Sequence, residues 1–408
     1  MKCGLLGRKL SHSYSPQIHH LLGDYSYSLF EQEPENLERF FKESNFTGIN
    51  VTIPYKKAVI PYLDEISPIA QKLGAVNTIV RRNDGSLYGH NTDFFGFSTM
   101  LQQSGLCVSG KKVLVLGSGG ASNTVCAVLE AQDANVVVIS RNGADNYENI
   151  TKHADAAVIV NATPVGMYPH TGITPVDLSL FPKLEGVLDL IYNPARTQIL
   201  LDAEKRGIVA MNGLLMLVAQ AKEAAELFLG YSVSDTKIQE IYKKLSIQMQ
   251  NVILVGMPGC GKSTIGKLLA EKTGKAFADA DVKIEELANK SIPQIFSEDG
   301  EAVFRQWETD ALAELGKQSG LVIATGGGCV TQMRNYPLLH QNGIILWLKR
   351  NLENLPTDGR PLSQSGKLAE MYAIRKPLYS QFSDVIIDND NTPDNAVEKI
   401  LKYVEELQ

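Results

Sequence analysis

Cysteine is scarce and scattered. The five cysteines in 408 residues (Cys3, Cys107, Cys126, Cys260 and Cys329) form no Cys-x-x-Cys pair and no Cys/His cluster at metal-ligand spacing, which points to a reducing compartment. Long apolar runs are also missing: none spans a bilayer, and the opening MKCGLLGRKLSHS reaches polar residues too soon for a signal peptide. A soluble, cytoplasmic chain is expected. Positive charge is not in excess, since the net charge is -6, and this argues against nucleic acid or a membrane surface as the main partner. No internal repeat or low-complexity tract interrupts the pattern. What is present is ordinary globular composition, 44% hydrophobic and 21% charged, in a chain long enough for two or three domains.

Short β-rich runs alternate with helical stretches throughout, the signature of an α/β fold. The strand candidates are KKVLVLG (111–117), NVVVIS (135–140), AAVIVNA (156–162), GVLDLI (186–191), NVILVG (251–256), LVIATG (321–326) and GIILWL (343–348). Several are apolar throughout, as parallel strands covered on both faces must be. Two strands run straight into glycine-rich turns, GSGGAS and GMPGCGKST, and each turn opens a helix. The polar stretch 231–250 falls between the two patterns and reads as a linker whose middle forms a short helix. The part before it divides again near residue 100.

At the first turn, Gly117, Gly119 and Gly120 let backbone amides approach a pyrophosphate at a helix N-terminus, where the dipole favours an anion. Ser122 stands at the small position of the dinucleotide fingerprint. A ligand-free tight turn remains the alternative. The next strand ends in Ser140 and Arg141, where an NAD-preferring fold places an acid. An arginine pairs with a 2′-phosphate, so NADP(H) is the expected cofactor.

Seven short motifs occur in order: HSYSP (12–16), NVTIPYK (50–56), AVNT (75–78), GHNTD (89–93), NATPVGM (161–167), DLIYNPARTQIL (189–200) and NGLLMLVAQA (212–221). Together they resemble shikimate dehydrogenase over about residues 1–230. The resemblance implies an N-terminal substrate domain (1–100, completed by a helix at about 213–230) and a Rossmann-like NADP domain (101–230). Ser13 and Ser15, two apart in an extended segment, point the same way and donate hydroxyls to a carboxylate; a plain turn before Pro16 is the alternative. The resemblance places Thr52, Asn77 and Gln220 on ring hydroxyls, and Ala121 and Gly213 at the cofactor. Lys56 and Asp93 matter most. Reducing a ketone needs a proton at oxygen as hydride reaches carbon, and a lysine held by a carboxylate supplies it. Only nineteen residues separate Arg141 from Asn161, too few for the usual helix and strand, so the cofactor sheet is expected to lack a strand.

The second turn matches G-x-x-x-x-G-K-[ST] in full, between a strand and a helix. Gly256, Gly259 and Gly261 shape the cradle, Lys262 reaches the β- and γ-oxygens of ATP, Ser263 offers its hydroxyl to Mg²⁺, and Thr264 follows in the loop. Cys260 inside the loop reads as a small filler. DADVKIEE (279–286), GEAVFRQWE (300–308), TGGG (325–328), GRPLS (359–363) and IRKPLY (374–379) resemble shikimate kinase over about residues 251–408. That resemblance implies a P-loop domain with a parallel sheet. It gives Asp281 the ring hydroxyls as base, Asp279 the metal shell, Arg305 and Arg375 the substrate carboxylate, Gly326, Gly327 and Gly328 the pocket lining, and Arg360 the lid.

The two resemblances imply one chain for two consecutive steps: NADPH-dependent reduction of 3-dehydroshikimate, then ATP-dependent phosphorylation of shikimate. A quinate-using dehydrogenase fused to the same kinase, and one half degenerate and serving as a binding module, stay open as alternatives. Oligomeric state is not legible.

Overall fold

The computed structural model describes residues 1–10, 13–355 and 367–406, the side chain of Lys367 excepted. Contacts between Cα atoms divide the chain into two compact units. One is Met1–Pro164 with Pro175–Tyr192 and Asp202–Tyr242; the other is Val165–Thr174, Asn193–Leu201 and Lys243–Gln408. The polar stretch expected as a linker is helical over Thr236–Met249. Among the described residues no helix is long and apolar enough to cross a membrane.

The first unit contains two sheets. Strands β1 (Lys2–Gly7), β2 (Ser26–Glu31), β3 (Gly48–Val51), β4 (Glu65–Ile66), β5 (Thr78–Arg81) and β6 (Leu87–His90) form a mixed sheet in the order β2-β1-β3-β5-β6-β4. β1 is parallel to both neighbours, whereas β5 is antiparallel to β3 and β6. Leu6, Ile49, Val51, Val76 and Ile79 join the ring cluster Phe40, Phe41 and Phe46 in its core.

Strands β7 (Lys112–Leu116), β8 (Asn135–Ile139), β9 (Val158–Asn161), β10 (Gly186–Asp189) and β11 (Val209–Met211) form the second sheet, ordered β11-β10-β9-β7-β8 and parallel throughout. β9 and β10 are buried at every residue, which is why their sequences show no polar alternation; each ends in a buried polar residue, Asn161 and Asp189. β8 is an edge strand. Between it and β9 the described chain makes one 3-10 turn, Ile150–His153, in place of the strand and helix that the short spacing had ruled out.

The second unit carries β12 (Asn251–Val255), β13 (Ala276–Asp279), β14 (Leu321–Ala324), β15 (Gly343–Lys349) and β16 (Val385–Asp388) in the order β13-β14-β12-β15-β16. All four pairings are parallel. The central strand β12 is buried at every position and sits in a core with Leu269, Leu312, Trp347, Tyr379 and Phe382. The order 13-14-12-15-16 places the glycine turn after β12 at the middle of the sheet's carboxyl edge, where open parallel sheets hold their ligands. All seven strands expected from the sequence are present, and both glycine turns open helices, Gly120–Ala131 and Lys262–Thr273.

Candidate active sites

In the first unit the helix Asp93–Gln103 begins on an acidic residue. The Asn91 side chain accepts the Asp93 N–H at 3.1 Å, fixing the carboxylate at the helix mouth. Lys56 Nζ donates to Asp93 Oδ2 at 2.5 Å; the lysine side chain is 27% exposed and the aspartate 7%. The Lys56 carbonyl accepts the Val76 N–H at 2.8 Å, which ties the lysine turn to the segment carrying Asn77. Asn77 is buried and donates to Gln220 Oε1 at 3.3 Å across 143 residues of sequence. Gln220 comes from the helix Leu214–Leu229. Thr52 follows β3, its N–H bonded to the Leu6 carbonyl at 2.9 Å. An ammonium paired with a buried carboxylate, next to converging amide groups, is equipped to deliver a proton to a polar ligand oxygen.

Ser13 and Ser15 do not lie in an extended segment. Tyr14 is helical (φ -79, ψ -6), Ser15 is the first residue of the helix Ser15–Leu22, and Ser13 Oγ accepts the Ser15 N–H at 3.2 Å. Pro16 fits this start, since its fixed φ suits the first turn of a helix and its missing N–H has no intrahelical partner there. His12 of the same motif lies outside the described residues.

The first glycine turn suits a pyrophosphate. Gly119 caps the helix Gly120–Ala131 without any side-chain cap, so the first amides face outward, and a side chain at Gly119 or Gly120 would meet nothing within 4 Å. Ala121 lies in that first turn. Gly117 takes φ 105 beneath Thr163. Arg141 is exposed in the turn after β8, and Tyr147 lies within its electrostatic reach. Gly213 answers to packing: a Cβ there would stand 2.1 Å from the Leu190 carbonyl oxygen. These features fit a dinucleotide whose phosphates rest on helix amides.

In the second unit Gly256, Gly259 and Gly261 have φ of 147, 83 and 95, values that only glycine adopts readily. The loop folds around Lys262, whose Nζ donates to the carbonyls of Gly256 at 2.9 Å and Met257 at 3.0 Å. Cys260 is fully buried, with Sγ 3.9 Å from Lys262 Nζ. Ser263 Oγ donates to Asp279 Oδ2 at 2.8 Å, and Asp279 Oδ1 accepts the Asp281 N–H at 3.0 Å, capping the helix Ala280–Ala288. A hydroxyl and a carboxylate side by side fit Mg²⁺, which takes a few protein oxygens and completes its shell with phosphate and water. Among the described residues no cluster of three His, Cys, Asp or Glu ligands exists, as that mode of binding requires none. Thr264 is exposed on the same helix turn.

The segment Gly326–Gly328 is the meeting point of the remaining charges. A Cβ at Gly326 would lie 2.7 Å from Glu308 Oε1 and 3.3 Å from Asp281 Oδ1, and one at Gly328 would lie 2.3 Å from Arg305 Nη1. Arg375 donates to the Gly327 carbonyl at 3.1 Å, and Tyr379 donates to the same oxygen. Arg305 is held by Glu308 at 2.9 Å and Glu301 at 3.0 Å. Glu308 is fully buried. Burial raises its pKa above the usual carboxylate range in spite of the Arg305 charge, and its Oε1 has no hydrogen-bond partner among the described residues. Arg360 lies outside the described residues. Sequence reasoning missed Glu308 and Tyr379. The i, i+3 spacing of Arg305 and Glu308 on one helix face was the available signal.

Comparison with known proteins follows the same division. The family model "Shikimate dehydrogenase substrate binding domain" matches residues 5–79, and the model "Shikimate kinase" matches residues 258–405. The chain is 36% identical over 264 residues to a shikimate dehydrogenase (NADP(+)) of Clostridium perfringens, covering 97% of that protein and 59% of this chain. It is similar to the crystal structure of shikimate dehydrogenase 1 from Peptoclostridium difficile, with TM-score 0.55, 38% identity, and coverage of 60% of this chain and 97% of that one. A shikimate 5-dehydrogenase from Thermus thermophilus, solved in complex with NADP(H) and shikimate, matches with TM-score 0.54 at 31% identity over 60% of this chain and 99% of its own. The chain belongs to the shikimate dehydrogenase family and carries a shikimate kinase domain in the same polypeptide.

Proposed function

We propose that the first unit reduces 3-dehydroshikimate to shikimate with NADPH and that the second phosphorylates shikimate to shikimate 3-phosphate with ATP and Mg²⁺. The observation that carries the first half is Lys56, half-buried and paired at 2.5 Å with the Asp93 carboxylate beside the Asn77–Gln220 pair. NADPH supplies the hydride. Lys56 gives its proton to the ketone oxygen as the carbon is reduced, and Asp93 keeps the lysine aimed until then. Ser13 and Ser15 take the carboxylate, and Thr52, Asn77 and Gln220 the ring hydroxyls. Gly117, Gly119, Gly120, Ala121 and Gly213 line the cofactor cleft, with Arg141 for the 2′-phosphate.

In the second half Asp281 accepts the proton of the attacking hydroxyl while Arg305 and Arg375 hold the acid. Lys262 leaves its loop carbonyls for the phosphate oxygens, and Ser263 with Asp279 holds Mg²⁺. Gly326, Gly327 and Gly328 let the guanidinium groups and Asp281 approach one pocket, and Arg360 is assigned to the lid. All five cysteines are free, in keeping with a cytoplasmic enzyme acting on small molecules.

The test uses one preparation and two readouts, NADPH loss from 3-dehydroshikimate and ADP formation from shikimate. Lys56→Ala is expected to abolish the first alone and Lys262→Ala the second alone. Faster oxidation of quinate than of shikimate by the intact protein overturns the substrate assignment.

A further inference from the structure

The three carbonyls of Gly326–Gly328 are satisfied in two different ways. Gly326 O accepts the Cys329 N–H at 3.3 Å and Gly328 O accepts the Thr331 N–H at 2.9 Å, bonds made within the turn itself. The Gly327 carbonyl instead accepts from two side chains of the helix Lys367–Phe382, Arg375 Nη1 at 3.1 Å and the Tyr379 phenol. The two residues stand four apart, on one face of that helix. A carbonyl oxygen has two lone pairs, so one peptide group serves both donors.

The two donors are held very differently. Tyr379 is fully buried and stacks on Trp347, with centroids 5.5 Å and planes 24° apart. A phenol has one hydrogen. The other acceptor in its reach is Met257 Sδ at 3.8 Å, and a thioether accepts weakly, so the hydrogen goes to Gly327. The peptide is backed by the phosphate loop, since a Cβ at Gly327 would lie 2.7 Å from Pro258 Cδ and 3.0 Å from Pro258 N. Arg375 is only half-buried. Its guanidinium carries five N–H donors in a rigid fork, so anchoring one nitrogen on Gly327 sets the plane of the fork and leaves further donors for a carboxylate.

We propose that Tyr379 is a positioning residue of the kinase, holding the Gly327 carbonyl in the direction from which it aims the Arg375 guanidinium at the substrate carboxylate. This rests on the reading above, which assigns Arg375 to that acid. Without the phenol, the Gly327 peptide keeps one side-chain tether and the guanidinium loses its fixed plane, so an arriving acid has to order both. The ATP side does not depend on this oxygen, because Lys262 is held by the carbonyls of Gly256 and Met257.

The test is Tyr379→Phe, alone and in an Arg375→Ala background, read by ADP formation. Phenylalanine keeps the ring against Trp347. With Arg375 present, KM for shikimate is expected to rise about three- to tenfold, the worth of one hydrogen bond, while kcat and KM for ATP stay within about twofold. In the Arg375→Ala background the same change leaves KM for shikimate unmoved. The proposal is overturned by a KM for shikimate that is unchanged or lowered in the single variant, or by an equal rise in both backgrounds. A variant that does not fold, or one whose two KM values rise together with a lowered melting temperature, makes the phenol structural and overturns it as well. The parent reading is tested separately: Arg375→Ala with a wild-type KM for shikimate sinks the assignment of Arg375, whereas a raised KM there beside an unmoved Tyr379→Phe sinks the Tyr379 role alone.

Discussion

Adding one methyl group at Gly328 separates substrate binding in the kinase from its fold. A Cβ at this position would lie 2.3 Å from Arg305 Nη1, 2.6 Å from Nη2 and 2.7 Å from Cζ. The guanidinium must move, and because it is the far end of a flexible side chain the backbone around Gly328 can stay in place. It does take the arginine out of register with Glu308 and Glu301, now 2.9 and 3.0 Å away, and from the carboxylate that we assign to it. A hydrogen bond to a charged group contributes about 1.5–3 kcal/mol, and each 1.4 kcal/mol is about tenfold in affinity. Gly328→Ala is therefore expected to raise KM for shikimate by about 10- to 100-fold, with KM for ATP within about twofold of wild type. The assay is ADP formation with shikimate varied at saturating ATP, and NADPH oxidation by the same preparation serves as the internal control. A KM for shikimate within about twofold of wild type, with an unchanged melting temperature, refutes the placement of Arg305.

Arg141→Ala removes the cation assigned to the 2′-phosphate; the ratio of kcat/KM for NADPH over NADH is expected to fall by about 10- to 100-fold, and an unchanged ratio refutes the assignment. Asp279→Asn weakens the acceptor of the Ser263 hydroxyl, 2.8 Å away, and should raise the Mg²⁺ concentration for half-maximal kinase velocity by about tenfold; dehydrogenase velocity is the control. Burial lowers His19 to about 3 from 6.5, partly offset by its bond to Asn50. Between those values the unfolded chain binds one more proton, so this contribution to stability is complete above about pH 6.5 and falls by about 1.4 kcal/mol per pH unit toward pH 3. His19→Gln should flatten the acid limb of the first unit's unfolding, followed by calorimetry beside tryptophan emission, since both tryptophans, Trp307 and Trp347, report on the second unit. An acid slope equal to wild type overturns this account.

Much of the architecture was legible from local pattern. Uninterrupted apolar runs such as VILV in β12 and VIV in β9 mark strands covered on both faces, and a glycine turn between strand and helix marks an anion cradle, because hydrophobic period and backbone freedom are properties of neighbouring residues. The short interval between Arg141 and Asn161 likewise foretold the missing strand, since chain length alone bounds what a segment can form.

Partner choice was not legible in that way. Asn77 meets Gln220 across 143 residues and Lys56 meets Asp93 across 37, distances over which no periodicity carries information. Ser13 and Ser15 keep the spacing of an extended pair, yet the chain turns at Tyr14 and Ser15 becomes the first residue of the helix Ser15–Leu22. Glu308 stands inside GEAVFRQWE with no local sign of burial; only the packed fold buries it completely and sets it against Arg305. The sequence by itself determined seven of the sixteen described strands and the two glycine cradles with the helices they open, whose causes are local. Tertiary packing alone decided which polar groups face one another and which lose their water, because burial and hydrogen-bond direction exist only once distant segments are brought together.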